Sequence, residues 1–523
     1  MSRTKQCARR GAKAKAKRRD DNTSRDSESS KKQKVDSTER KENAAVSAEA
    51  AAPAMNTEQS LSELLGGMPI KQFLDEYFEK KPLVVRSSEA KKLFGANLFN
   101  RQSMLDVMTK HQLAYGQDLM VCKYVNGEKE TFVPNPNAVQ AKRKKVNSLL
   151  DNGYSCQFYQ PQRYADGLYR TNAAFEAYFG CLAGSSAYLT PPGAQALAPH
   201  HDDVEVFILQ TEGSKHWKLY KPLTELAGEY SRDLDPAQIG EPWMELTLNE
   251  GDLLYFPRGV IHQASTSKEF STHVTISVYQ HNSWANFMEV ALPRIIRRAF
   301  DADVEFRRGL PINYLSYMGS AQSGGAPSAE FVSQLRTLVE RLAKHVDDKD
   351  VHEAADEAAV DFVSNRLPPT DAADNATSTD GASPLDSGAS FRLKSKQFMR
   401  LARGTEEGEE FAALYYSVAN CRRHHMGMCD CESTNNREDN EEDEDESGSG
   451  SDDDEGAMGG MAPGSNARCI ALPVETMKSL QALLGSEGFV TVDDLHADDD
   501  EEVAVRGMLL RLWSEGLLEM RSA

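Results

Sequence analysis

Apolar positions show no period over residues 1 to about 57, a stretch without a single aromatic, and it reads as a disordered tail. Globular sequence begins near Leu61, and Pro82-Leu83-Val84-Val85-Arg86 predicts a short strand. From about Tyr154 to Gln280 the chain alternates between short apolar or β-branched runs and Gly, Pro and Asn turns. The runs include Ser186 to Thr190, Val204 to Gln210, Trp217 to Tyr220, Leu253 to Phe256 and His273 to Tyr279. Runs this short and this closely spaced predict an antiparallel barrel or sandwich.

Beyond Trp284 the period changes. Phe331, Leu335, Leu338, Val339, Leu342 and Val346 recur at helical spacing and form one apolar stripe, the pattern of a core or helix–helix interface. Asp371 to Ser390 has a linker's composition. A last domain starts near Phe391. Pro473 to Leu484 predicts a helix, Val505, Leu509, Leu512 and Trp513 mark another, and Gly516 to Met520 predicts a closing strand. Helices followed by a short β-ribbon suit a winged helix. The resulting division is a mainly β domain at 58–283, a helical segment at 284–368, a linker at 369–390 and an α+β domain at 391–523 with an insertion at 432–466. No internal repeat is found.

A length of 523 residues agrees with two or three domains. The net charge of -20 hides an asymmetry: the first nineteen residues hold nine Lys or Arg and no acid, whereas Glu438 to Glu455 holds twelve acids and no base. A basic arm suits nucleic acid, ribosome or an import receptor, and an acidic run suits basic proteins such as histones. Lys13 to Arg19, followed by Lys31-Lys32-Gln33-Lys34, has the form of a bipartite nuclear import signal. No apolar stretch is long enough to span a bilayer and no secretory core opens the chain, so an intracellular, soluble protein is expected, with no membrane partner. Eight irregularly placed cysteines form no disulfide framework and are expected to be reduced.

Candidate chemistry lies at Ala198-Pro199-His200-His201-Asp202-Asp203, just ahead of an apolar run. Side chains two apart on a strand face the same way, so His200 pairs with Asp202, or His201 with Asp203. A His-x-Asp pair plus one distant His is the facial triad of non-haem iron oxygenases, which leaves positions free for a co-substrate and O2. His262, after the Pro257-Arg258-Gly259 turn, supplies the distant His; His273 is a rival within a β-branched strand. Lys215, Tyr188 and Ser277 could bind an anion in a dry pocket.

These residues resemble the ribosomal-oxygenase branch of the JmjC family, nucleolar histidyl hydroxylases also described as bifunctional lysine demethylases. The resemblance is carried by Phe158 to Tyr164, Tyr188-Leu189-Thr190-Pro191-Pro192-Gly193, Asp202 to Gln210, Gly251 to Gln263, Thr272 to Ser277 and Glu305 to Pro311. It implies a cupin-like double-stranded β-helix, a helical dimerisation segment and a carboxyl-terminal winged helix. It further implies Fe(II) held by His200, Asp202 and His262, and 2-oxoglutarate held by Lys215, Tyr188 and Ser277, with O2 as the oxidant. His201 replaces the family's usual Tyr in Pro-His-Tyr-Asp-Asp, and Ser186 stands where an Asn is usual. The implied reaction couples decarboxylation of 2-oxoglutarate to succinate with hydroxylation of a ribosomal-protein histidine, in nucleus or nucleolus. Histone lysine demethylation is the alternative, and a non-catalytic chromatin or ribosome-assembly binding protein is the alternative of another class.

Two segments stand apart. Cys421-Arg422-Arg423-His424-His425 and Cys429-Asp430-Cys431 have a zinc site's composition but no standard zinc spacing. Ser2-Arg3-Thr4-Lys5-Gln6-Cys7-Ala8-Arg9 resembles the start of a core histone tail, Ala-Arg-Thr-Lys-Gln-Thr-Ala-Arg. This motif motivates the hypothesis of a mimic that recruits a histone-tail reader or occupies the protein's own substrate site. On the second version a peptide of residues 1–12 is expected to bind the protein in a fluorescence anisotropy titration; no binding at high micromolar concentration removes that version.

Overall fold

The first described helices, α1 (Thr57–Leu64) and α2 (Ile70–Glu76), lead into strand β1 (Leu83–Arg86), helix α3 (Arg101–Lys110), strands β2 (Leu119–Val125) and β3 (Glu128–Thr131), and helix α4 (Arg143–Asp151). Strand β4 (Ser155–Tyr159) and helix α5 (Asp166–Phe179) precede β5 (Gly184–Thr190), β6 (Glu205–Glu212), β7 (Ser214–Tyr220), β8 (Met244–Asn249), β9 (Asp252–Phe256), β10 (Ile261–Ser265) and β11 (Ser271–Val278). This computed structural model describes residues 57–86, 92–93, 98–136, 139–322, 325–370, 383–406, 408–427, 468–495 and 499–521. The basic arm, the histone-like octapeptide, most of the linker, Cys429 to Cys431 and the acidic insertion lie outside the described residues.

The strands form two facing antiparallel layers: an eight-stranded sheet ordered β1-β9-β6-β11-β5-β4-β2-β3 faces a three-stranded sheet ordered β10-β7-β8. Alternation of side chains explains both layers. Phe207 and Leu209 of β6, Leu253 and Tyr255 of β9, and Val274 and Ile276 of β11 point away from the small sheet, into a core shared with Leu61, Phe73, Met104 and Phe175 of the helices. Val206, Ile208, Leu254 and Phe256 point the other way and meet Trp217, Leu219 and Leu248 of the small sheet. Strands buried on both faces read in sequence as continuous apolar runs, which is why β6 and β9 were legible. Gly213 makes the one-residue turn from β6 to β7 at φ +62°, where a Cβ would come within 2.0 Å of the Phe270 carbonyl oxygen. Only glycine fits, and the turn sets where Lys215 enters the barrel.

After the barrel, α6 (Trp284–Ala302) starts at Ser283, whose hydroxyl accepts from the Asn286 N–H in a capping box. Helices α7 (Ala326–Leu342) and α8 (Asp348–Asn365) follow. Ala291 and Ile295 of α6 pack on Ala354 of α8, and Arg298 bridges to Asp347 and Asp350. The apolar stripe of α7 falls on a helix as expected but is only partly covered: Leu342 packs on the α6–α8 core and Phe331 stacks on Tyr314, whereas Leu335 and Val339 are exposed, as are Ile296 and Phe300 of α6 and Leu310, Ile312 and Leu315 between the helices.

In the carboxyl-terminal part, β12 (Ser390–Leu393) pairs with β16 (Leu518–Arg521) as a ribbon. Between them, β13 (Met399–Glu406), β14 (Glu409–Tyr416) and β15 (Arg468–Pro473) form a three-stranded sheet that the apolar pattern did not predict. Helices α9 (Met477–Gly485) and α10 (Asp499–Ser514) close the core around Leu480, Leu509 and Leu512. The helix expected from Pro473 starts later because Pro473 ends β15 and a 3-10 turn, Val474–Thr476, intervenes. This part docks on the barrel through a fully buried contact in which the His425 imidazole meets the Glu176 carboxylate at 2.7 Å. The other ring nitrogen of His425 meets the Gln162 side chain at 2.8 Å. Cys122, Cys156 and Cys181 are buried free thiols, whereas Cys469 is disulfide-bonded and departs from the expectation of reduced cysteines.

Candidate metal centre

His200 does not lie on a strand. It sits in the extended segment ahead of β6 and meets β10 through a single antiparallel bridge. The His200 N–H donates to the His262 carbonyl at 3.2 Å, and the His262 N–H donates to the His200 carbonyl at 2.8 Å. Directly opposed residues in such a pair put their side chains on the same side. The two imidazoles accordingly lie 4.4 Å apart between centroids. Asp202 is held by its own carbonyl, which accepts from the Gly259 N–H at 3.0 Å. Gly259 is at φ +85°, and a Cβ there would lie 2.5 Å from the Thr224 carbonyl oxygen, so this turn also requires glycine. One Asp202 oxygen is 4.0 Å from His200 Nε2 and the other 3.7 Å from His262 Nε2.

His200, Asp202 and His262 offer ligand atoms that all lie within 4.8 Å of one another. Their protonation suits a cation. Nδ1 of His200 is 2.8 Å from the Ala198 carbonyl and Nδ1 of His262 is 3.1 Å from the Val260 carbonyl. A carbonyl only accepts, so each Nδ1 carries the proton and each Nε2 presents a lone pair. Burial, with His200 alongside, pushes His262 down to about 4, which leaves it neutral at pH 7. Two imidazoles and one carboxylate fit a first-row divalent metal with open positions. His201 and Asp203 are not part of the cluster: the His201 backbone N–H donates to the Ser231 hydroxyl at 2.9 Å, and Asp203 accepts from the Gln280 side chain at 3.2 Å. His273 also stays outside the cluster.

The second half of the site is a buried cation. Lys215 of β7 is 3% exposed, and its Nζ donates to Thr190 Oγ1 at 3.0 Å and lies 3.5 Å from His273 Nδ1. No carboxylate among the described residues lies within ion-pair distance of it. Burial pushes the ammonium down from 10.5 to about 7, which amounts to roughly 5 kcal/mol against the charged form. An anion bound here would offset that penalty. His273 stacks on Tyr188 with centroids 4.7 Å apart and planes at 4°. Burial and the neighbouring Lys215 hold His273 well below its ordinary range, so it is neutral and Nδ1 can accept from the ammonium. The Tyr188 hydroxyl accepts from the Gln157 side chain at 2.9 Å, which leaves its own proton to donate elsewhere. Burial raises the phenol well above its ordinary range, with Asp202 adding to the effect. Ser277 is half-buried, opposite Gly184 and four residues along β11 from His273. Ser186 lies opposite Thr275 on the neighbouring strand.

Thr190, Gln157 and the place of His273 beside Lys215 were not read from the sequence. Thr190 has the same parity as Tyr188 on β5, so alternation pointed to it. Nothing local pointed to Gln157, whose register against Tyr188 arises only from the β4–β5 pairing.

Residues 157–287 match the JmjC domain family. The chain is 35% identical over 376 residues to the bifunctional lysine-specific demethylase and histidyl-hydroxylase NO66 of Culex quinquefasciatus, covering 68% of this chain and 56% of that protein. It is 35% identical over 386 residues to human ribosomal oxygenase 1, covering 70% and 59%. It is 35% identical over 468 residues to bovine ribosomal oxygenase 2, covering 86% and 90%. The chain thus spans little more than half the length of the first two relatives and nearly all of the third. Among solved structures, the ribosomal oxygenase YcfD of Escherichia coli in complex with cobalt and 2-oxoglutarate covers 87% of this chain and 99% of its own, at 13% identity. The TM-score of that match is 0.40.

The geometry separates the two adjacent histidines. Substituting His200→Ala or His262→Ala is expected to weaken Co(II) binding more than about 100-fold in an anaerobic absorbance titration, beyond the loss seen when only an outer partner of a ligand is removed. His201→Ala is expected to bind Co(II) within about twofold of the parent. Equal losses for His200→Ala and His201→Ala would contradict this assignment.

Proposed function

As the chain belongs to the JmjC-domain ribosomal oxygenase family, we propose that it is an Fe(II)- and 2-oxoglutarate-dependent protein oxygenase that hydroxylates a histidine of a ribosomal protein. The observation that carries this reading is the pairing, within one barrel, of an open two-imidazole, one-carboxylate cluster with a buried ammonium that has no carboxylate partner among the described residues. A non-catalytic binding protein has no use for that combination. Burying an uncompensated cation is expensive and is retained where a ligand supplies the counter-charge.

In this reading His200, Asp202 and His262 hold Fe(II), and Lys215 pairs with the far carboxylate of 2-oxoglutarate. Tyr188, its hydroxyl oriented by Gln157, donates a hydrogen bond to the same molecule, and Ser277 is the third contact carried over from the family. With 2-oxoglutarate and O2 bound, the metal supplies oxidative decarboxylation to succinate and CO2, coupled to insertion of one oxygen atom into a substrate C–H bond. The protein's own contribution is positional. The His200–His262 bridge and the Gly259 turn fix the three ligands. Trp217, Phe256 and the barrel walls exclude water, and the rim holds the target carbon within reach. A target on a histidine side chain leaves as a hydroxyhistidine. A target on an N-methyl group leaves, after loss of formaldehyde, as a demethylated lysine. The names of the NO66 relatives favour keeping histone lysine demethylation as a second activity of the same centre.

Three further parts of the proposal rest on other features. The uncovered apolar residues of α6 and α7 suit a homodimer interface. The basic arm suits an import receptor and a location in nucleus and nucleolus, and the acidic insertion suits a basic protein partner.

Incubation with Fe(II), ascorbate, 2-oxoglutarate and O2 tests the substrate class by intact mass. Gain of one oxygen on ribosomal-protein peptides supports hydroxylation, loss of one methylene on methylated histone peptides supports demethylation, and no succinate with either removes the enzymatic reading. A second test follows from Lys215. In the ligand-free protein its pKa is about 7, so at pH 8 it is mostly neutral. A bound dianion favours the charged form and raises that pKa. Binding of 2-oxoglutarate to the Mn(II) form at pH 8 is therefore expected to take up close to one proton, and affinity is expected to fall as pH rises above 7. Calorimetry in two buffers of different ionisation enthalpy reads the proton; no uptake at pH 8 would count against Lys215 as the partner.

A further inference from the structure

Trp217 carries a buried polar atom that nothing among the described residues satisfies. The residue is 3% exposed, and its indole Nε1 has no hydrogen-bond partner. Leaving such a donor unpaired costs roughly 1–3 kcal/mol, and the core could have avoided it with a phenylalanine or leucine. The position of the ring suggests what the donor is for. Trp217 is two residues after Lys215 on β7, so both side chains enter the barrel from the same face. The Lys215 ammonium lies 6.0 Å from the indole centroid. The imidazole of His262 lies 6.2 Å from the indole, and that of His273, itself 3.5 Å from the ammonium, meets the ring edge-on at 5.2 Å. The indole therefore neighbours both the His200–Asp202–His262 cluster and the buried ammonium, within reach of a molecule that contacts the two.

We infer that the Trp217 indole N–H donates a hydrogen bond to the bound dicarboxylate co-substrate, as a positioning contact alongside Lys215 and Tyr188. This rests on the oxygenase reading above, which supplies the co-substrate. A trapped water is a poorer partner. The Nδ1 atoms of both neighbouring histidines are already engaged, and Phe256 offers only a ring. A buried water needs two to four polar neighbours. Lys215 supplies charge and Tyr188 a donor aligned by Gln157; the indole adds a fixed donor along the length of the ligand.

The test uses the full chain, loaded with Zn(II) for spectroscopy and with Mn(II) for calorimetry under argon. With four tryptophans, [15N]tryptophan labelling gives four indole cross-peaks, and the one missing from Trp217→Phe identifies itself. That peak is expected to move downfield on adding 2-oxoglutarate, while the other three stay put. Trp217→Phe keeps an aromatic side chain but removes the pyrrole ring with its N–H, so a modest loss of thermal stability is expected, while metal affinity is expected to match the parent. Its affinity for 2-oxoglutarate is expected to fall roughly five- to tenfold, the loss of one hydrogen bond. A parent protein that binds 2-oxoglutarate while the Trp217 peak stays still, or a Trp217→Phe variant that binds it within twofold, overturns this inference alone. A parent protein that binds no 2-oxoglutarate overturns the oxygenase reading beneath it.

Discussion

Two backbone hydrogen bonds, exchanged between His200 and His262, are the contact on which the site depends. They join the segment ahead of β6 to β10, and so tie the large sheet to the small one at the barrel mouth. Because the pair is directly opposed, both imidazoles must project to the same side, and Asp202 completes the set from two residues away. The bridge is one residue pair long, so it relies on its surroundings. The Gly259 turn accepts nothing larger than hydrogen at its α-carbon and also holds the Asp202 carbonyl. Backbone geometry that is locked in this way lets the side chains keep lone pairs and charge pointing into an open space.

The interior of the barrel carries polar groups that an ordinary core would not hold. Lys215 is buried without a carboxylate, Trp217 has an unmatched N–H, and Tyr188 keeps a free proton beside a neutral His273. Each is unfavourable for folding taken alone. Together they suit an elongated anion lying beside His200, Asp202 and His262, the co-substrate of the proposed reaction. The surrounding walls are conventionally apolar, with Val206, Ile208, Phe256 and Leu219 filling the space between the sheets. That low-polarity shell strengthens the polar contacts it encloses.

The rest of the chain is organised around this barrel. The carboxyl-terminal part is joined to it through the buried His425–Glu176 contact and through Arg422, which donates to the Gln162 carbonyl and to Asp166. Gln162 in turn accepts from the Ser185 hydroxyl on β5, the strand that carries Tyr188. The helical segment uses one side of α6 and α8 for its own small core and leaves an apolar side of α6 and α7 uncovered.

Much of this could be read along the chain. The apolar runs of β6, β9 and β11 marked an antiparallel barrel, and the spacing of His200 and Asp202 marked two members of the cluster proposed to hold the metal, since both depend on which residues alternate over a few positions. Register was harder. His200 is not on a strand at all, so strand alternation reached its grouping with Asp202 by way of an extended segment, and only the bridge to His262 separates it from His201. The sheet of β13 to β15 escaped because burial along β13 and β14 does not alternate cleanly and a long insertion separates β14 from β15, leaving no clean period. The stripe on α7 was visible, but a period shows which side of a helix is apolar and not what covers it. Thr190, Gln157 and His273 gained their places from strand pairings between residues far apart in sequence. The sequence by itself determined the kinds of side chain and the side of each element they occupy. The tertiary structure alone decided which of them meet, because contact across a barrel is set by register and closure, and those are properties of the whole sheet.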